Sequence, residues 1–167
     1  NNQKASFFLD GPGGTGKTFL YKALLADIRS RGFIALATAS SEVAASILPG
    51  GRTAHSRFKI PINMETSNMC TVSKQSALAD LLRQAKLIIW DEAPMMHKIG
   101  IERVDKLLRD LMDTDDLFGG KIIVFSGDFR QVLPVITKGS KADFIQASLI
   151  NSYIWPHLHK LKLKQNM

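Results

Sequence analysis

The sequence predicts an α/β protein built on an open parallel sheet with helices on both faces. Three observations carry that prediction. Short, β-rich runs recur that are apolar on both faces, as strands of a helix-covered parallel sheet are. Amphipathic stretches of helical spacing alternate with them. A glycine-rich octet, GPGGTGKT, joins the first run to the first such stretch.

In chain order, strands are expected at 6–10 (SFFLD), 33–38 (FIALAT), 86–91 (KLIIWD) and 121–126 (KIIVFS). Helices are expected at 17–31, 41–48, 75–85 and 101–113; in the last, Ile101, Val104, Leu107, Leu108 and Leu111 form one stripe. Residues 59–74 (KIPINMETSNMCTVSK) have no clean period and read as an excursion from the sheet. Near the end, Leu158, Leu161 and Leu163 suggest a final strand with Lys160, Lys162 and Lys164 facing solvent. In such a sheet, ligands bind beyond the carboxyl ends of the strands.

A chain of 167 residues with 45% apolar and 22% charged content is most simply one domain with a real core. No apolar stretch approaches the ~18 residues of a membrane span, so no membrane partner is expected. The single Cys70 excludes an internal disulfide and suits a reducing compartment, and the four histidines lack zinc-ligand spacing. The net charge of +7 is uneven: residues 1–59 hold eight Lys/Arg against three Asp/Glu, and residues 101–120 hold three against six. A basic first third suits a polyanion such as nucleic acid; from charge alone, a solvated basic surface reads the same.

The octet Gly11, Pro12, Gly13, Gly14, Thr15, Gly16, Lys17, Thr18 matches the phosphate-loop pattern G-x-x-x-x-G-K-[ST], with a strand before it and a helix after it. Its glycines let successive N–H groups point at phosphate oxygens, and the helix N-terminus adds its positive dipole end. Lys17 is expected to reach the β- and γ-phosphates of ATP, and Thr18 to offer its hydroxyl to Mg²⁺. Such a loop needs a carboxylate at a neighbouring strand end, and LIIWDEAPM supplies Asp91 for the metal and Glu92 as base for the attacking water. Alone, an Asp-Glu pair at a strand end is a solvated turn; beside a phosphate loop it reads as catalytic. The fold class is therefore that of a P-loop NTPase.

GPGGTGKT, TASSEVAA with GGRTAHSRF, LIIWDEAPM and FGGKIIVFSGDFRQVLPV together resemble the ordered motifs of superfamily 1 DNA helicases, most closely the Pif-type family with its Helitron-transposon relatives. LLRDLMDTDDLFGGK before GDFRQ contributes most to that likeness. The resemblance implies a RecA-like first motor lobe over 1–167, partnered by single-stranded DNA and by a second RecA-like lobe, in an enzyme that moves 5′-to-3′. It implies that Gln131 senses the γ-phosphate, with Asp128 and Arg130 in the same loop. It also implies that Thr38, Ala39 and Ser40, with Thr53, His55 and Ser56, line the DNA path. Hydroxyls, N–H groups and a ring suit a grip on a sugar-phosphate strand, and Phe58 or His55 is a candidate to stack on a base. Thr53 also reads simply as a helix cap. The excursion at 59–74 occupies the place of a small wedge-like insertion.

Only ten residues precede Gly11, so the adenine-recognising Gln motif of such helicases is not expected among these residues. KLKLKQNM stops where the family places an arginine directed at the γ-phosphate; a lobe ending there is expected to bind nucleotide and hydrolyse it very slowly. The family implies residence in the nucleus, with mitochondria as the alternative. Two other readings remain open: a protein-remodelling P-loop ATPase of the AAA+ type, and a non-catalytic nucleotide- or DNA-binding module.

Overall fold

The computed structural model describes residues 6–12, 16–62, 69–129 and 140–164. The main elements are β1 (Ser6–Asp10), α1 (Lys17–Ser30), β2 (Ile34–Ala39), α2 (Glu42–Ile47), β3 (Arg52–Thr53), α3 (Ala54–Phe58), α4 (Ala77–Gln84), β4 (Ala85–Asp91), α5 (Lys98–Leu111), β5 (Ile122–Gly127), α6 (Lys141–Gln146) and β6 (His159–Lys162). Among the described residues six strands form one sheet in the order β3-β2-β4-β5-β1-β6, every neighbouring pair parallel.

Strand alternation divides the apolar residues between two faces. Phe8, Leu36, Ile88, Trp90, Ile123 and Phe125 turn to the side covered by α4 and α5. Leu9, Ala35, Ala37, Leu87 and Ile89 turn to the side where Tyr21 and Leu25 of α1 pack. Apolar residues on both faces thus reflect helices on both faces. The register pairs Ala39 with Asp91 and Asp10 with Gly127, which aligns the carboxyl ends of β1, β2, β4 and β5 along one edge.

Several elements depart from the expected pattern. α5 begins at Lys98, three residues before the apolar stripe, because the side chain of His97 caps it: Nδ1 accepts the Ile99 N–H at 3.1 Å. The two-residue β3 and the five-residue α3 are too short for a periodic signal. All four residues of β6 are exposed, Leu161 included; it is an edge strand, and only Leu158 before it and Leu163 after it pack inward. Around 59–74 the described ends are tied down. Ile60 and Cys70 are buried in the core, and the Thr71 N–H bonds the Lys59 carbonyl. Among the described residues no helix is long and apolar enough to cross a membrane.

The acidic stretch of α5 has a structural role. Buried Asp105 accepts hydrogen bonds from Arg109 Nε at 2.9 Å, the Phe118 N–H at 2.6 Å and the Tyr153 hydroxyl at 2.6 Å. It therefore pins the turn before β5 and the C-terminal segment to one helix.

The His97 cap makes stability depend on pH. Burial, with the nearby Lys98 and Arg103 charges and against the pull of Glu102, holds its pKa below the ordinary histidine value. The unfolded chain consequently takes up the proton first. Stability is fully present above about pH 6.5 and is lost as pH falls through the lower folded value. Urea unfolding at about pH 8 and about pH 5 is expected to show this loss, and His97→Asn, which keeps a cap acceptor, is expected to flatten it. An equal acid loss in His97→Asn would assign the effect to other groups.

Candidate functional site

The aligned strand ends open onto a cleft of about 230 Å³ whose lining includes Lys17, Thr18, Asp91, Glu92, Gly127 and Asp128. Each arrives there for a local reason. Gly16, at φ 83°, supplies the left-handed turn into α1 that a residue with a Cβ resists. That turn places Lys17 and Thr18 at the helix start, where Lys17 Nζ donates to the Gly11 carbonyl at 2.5 Å. Gly13, Gly14 and Thr15 lie outside the described residues.

Asp91 ends β4 and is fixed by its Oδ1, which accepts the Glu92 N–H at 2.9 Å and the Ser126 hydroxyl at 3.0 Å. The chain then turns sharply. Glu92 is left-handed at φ 54°, and the Met95 N–H closes the turn on its carbonyl. Its carboxylate is held in turn, with Oε2 accepting the Ser41 hydroxyl at 2.7 Å. Pro94, which follows, packs on β5 so closely that a Cβ at Gly127 would meet the ring at 2.4 Å. A glycine at 127 is what lets the Asp91–Glu92 turn lie against the next strand.

Three further residues shape the site without having stood out in the sequence. The buried Tyr21 hydroxyl lies against Ser126 and Asp91 and makes no hydrogen bond of good geometry; burial, with Asp91 nearby, pushes its pKa up. Phe129, directly after Asp128, packs on Phe8 and Trp155 with ring centroids 5.2 and 5.5 Å away, anchoring the loop as it leaves β5. A lone aromatic inside a polar strand end was the available signal for it. Arg57 is buried and donates to the Ala37 and Gly50 carbonyls at 3.0 Å each, which clamps α3 onto β2. Burial and the neighbouring Arg52 and Arg29 lower its pKa to about 10.

The candidate DNA-facing residues divide. Ser40, Thr53 and His55 are half-buried and Ser56 is exposed. Thr53 does cap α3, accepting the Ser56 N–H; His55 Nδ1 lies 3.3 Å from the Ile60 carbonyl; Ser40 Oγ accepts the Trp90 indole N–H at 3.0 Å. Thr38 and Phe58 do not reach the surface. Thr38 shares a face of β2 with Leu36 and is fully buried opposite Trp90. Phe58, one helical turn after Ala54, is fully buried and stacked on Trp90 at 5.5 Å. In this conformation neither can touch a strand, so His55 is left as the candidate ring. Arg130 and Gln131 lie outside the described residues, so the γ-phosphate sensor stays an expectation.

The family described as PIF1-like helicase matches residues 1–167. The chain is 33% identical over 134 residues to the ATP-dependent DNA helicase Pif1 of a Psychrobacter strain, covering 79% of this chain and 20% of that protein. Against the ATP-dependent DNA helicase PIF1 of Homo sapiens it is 33% identical over 138 residues, covering 81% and 21%. In structure it is similar to Bacteroides Pif1 bound to ssDNA, with a TM-score of 0.79 and 27% identity over 99% of this chain and 39% of that one. The chain thus spans about a fifth of the length of these curated relatives.

Proposed function

The chain belongs to the PIF1-like helicase family, and from that premise we propose that it is the nucleotide-binding motor lobe of an ATP-dependent DNA helicase. One observation carries the reading: Lys17, Thr18, Asp91 and Glu92, from two different strand ends, line a single cleft. Lys17 binds the β- and γ-phosphates. The Thr18 hydroxyl and the Asp91 carboxylate are hard oxygen donors suited to Mg²⁺, and Asp91 Oδ1 is already engaged, which leaves Oδ2 for that purpose. Held there beside the phosphates, Mg²⁺ would supply neutralisation of the charge that develops in phosphoryl transfer. Glu92 takes the proton of the water whose oxygen attacks the γ-phosphorus; the bond to the β–γ bridging oxygen breaks, giving ADP and phosphate.

Ser40, Thr53, His55 and Ser56 are the residues of this lobe proposed to face single-stranded DNA, and Gln131 to sense the γ-phosphate. A second RecA-like lobe closes the site in the longer enzyme, which moves 5′-to-3′. The lengths of the relatives support this two-lobed reading. ATP hydrolysis by this lobe, set beside a protein extended through the second lobe, tests it. Stimulation by single-stranded DNA is expected in the extended protein and not in the lobe alone. An extended protein that binds ATP but ignores DNA at every concentration would count against a helicase motor.

A further inference from the structure

The hydroxyl of Ser41 makes two hydrogen bonds that join elements far apart in sequence. It accepts the Ala44 N–H at 3.2 Å, which caps α2, and it donates to Glu92 Oε2 at 2.7 Å. Capping alone accounts for a serine at this position. It does not account for a carboxylate 51 residues away closing on the same oxygen. The turn between β2 and α2 is fastened to the end of β4 at two further points, the Ser40 N–H to the Asp91 carbonyl at 3.1 Å and the Trp90 indole to Ser40 Oγ at 3.0 Å.

The other end of α2 is equally constrained. A Cβ at Gly51 would lie 2.0 Å from the Ala45 carbonyl oxygen, so the backbone that leads into β3 and α3 rests directly on this helix. The Gly51 N–H bonds the Leu48 carbonyl at 2.9 Å, and Arg57 of α3 holds the Gly50 carbonyl. α2 is therefore a short rod between the segment that carries Thr53, His55 and Ser56 and the carboxylate of Glu92. Its Val43, Ala44 and Ile47 also line the nucleotide cleft.

We propose that Ser41 is a positioning residue for the general base: its hydroxyl aims the Glu92 carboxylate and ties that aim to α2, and so to the proposed nucleic-acid-facing segment. One carboxylate oxygen held by Ser41 leaves the other to take the proton of the attacking water. A base turned away by an ångström loses much of its effect, while phosphate binding by Lys17 and the phosphate loop is untouched. This inference rests on the reading of Glu92 as the base.

The test is steady-state ATPase kinetics of the protein carrying both lobes, with saturating single-stranded DNA, for Ser41→Ala, Ser41→Gly, Ser41→Thr and Glu92→Gln. Ser41→Ala is expected to lower the DNA-stimulated kcat by about tenfold to a hundredfold, with the KM for ATP and the half-saturating DNA concentration unchanged. Ser41→Gly keeps most of a cap's stability but has no hydroxyl, so it is expected to fall with Ser41→Ala. Ser41→Thr keeps the hydroxyl and is expected to recover most of the rate. Recovery in Ser41→Gly, or a loss confined to KM, would reduce Ser41 to a cap and overturn the proposal. Turnover lost in Glu92→Gln but parental in Ser41→Ala and Ser41→Gly overturns the role of Ser41 and leaves the base assignment standing. Parental turnover in Glu92→Gln overturns both.

Discussion

Replacing Lys17 with alanine is expected to weaken Mg-ADP binding by roughly thirtyfold to several thousandfold in titration calorimetry. The amine sits at the start of α1 inside the cleft, and its hydrogen bond is to the Gly11 carbonyl at the loop's own beginning. A diphosphate offers it a full negative charge instead, in a site walled by strand ends. Removing one partner of such a charged, hydrogen-bonded pair costs about 2–5 kcal/mol, and every 1.4 kcal/mol is about tenfold in affinity. The fold should not suffer: Lys17 is half-buried, alanine is the best helix former, and Gly16 still makes the turn. Far-ultraviolet circular dichroism of the variant is therefore expected to match the parent. Parental affinity for Mg-ADP would remove the phosphate-loop assignment and with it the reading of the cleft.

The phosphate loop is legible in the sequence because several constraints coincide at one place. A backbone that must present N–H groups to phosphate needs glycine, and a strand and a helix must flank it. The sheet is legible for a similar reason, since strands covered on both faces are apolar throughout. The candidate DNA-facing set is less so, because hydroxyls and rings serve a core as well as a surface. Coverage of both sheet faces could have buried Thr38 whichever way it points, and the four-residue spacing of Ala54 and Phe58 could have turned Phe58 inward. Reading TAHSRF as one polar unit conceals that period. Nothing in sequence order marks Ser41, Tyr21 or Pro94 as neighbours of the proposed catalytic pair. Their roles depend on β2, α1 and β5 meeting β4 at one edge, a matter of topology and not of local pattern.

Glu92→Gln, in the protein carrying both lobes, is expected to leave ATP binding intact and to cut hydrolysis by about 10²–10⁴-fold, the usual contribution of a positioned acid or base. The substitution is a clean one at this position. Glutamine has the same length, tolerates the left-handed backbone at φ 54° no worse than glutamate, and leaves Pro94 packed on Gly127. Its amide oxygen can still accept the Ser41 hydroxyl, so the side chain is expected to stay where the carboxylate was. What it cannot do is take a proton from water at neutral pH. Binding of a non-hydrolysable ATP analogue, measured beside single-turnover hydrolysis, separates the two steps. Undiminished turnover with parental binding would move the base to another group lining the same cleft.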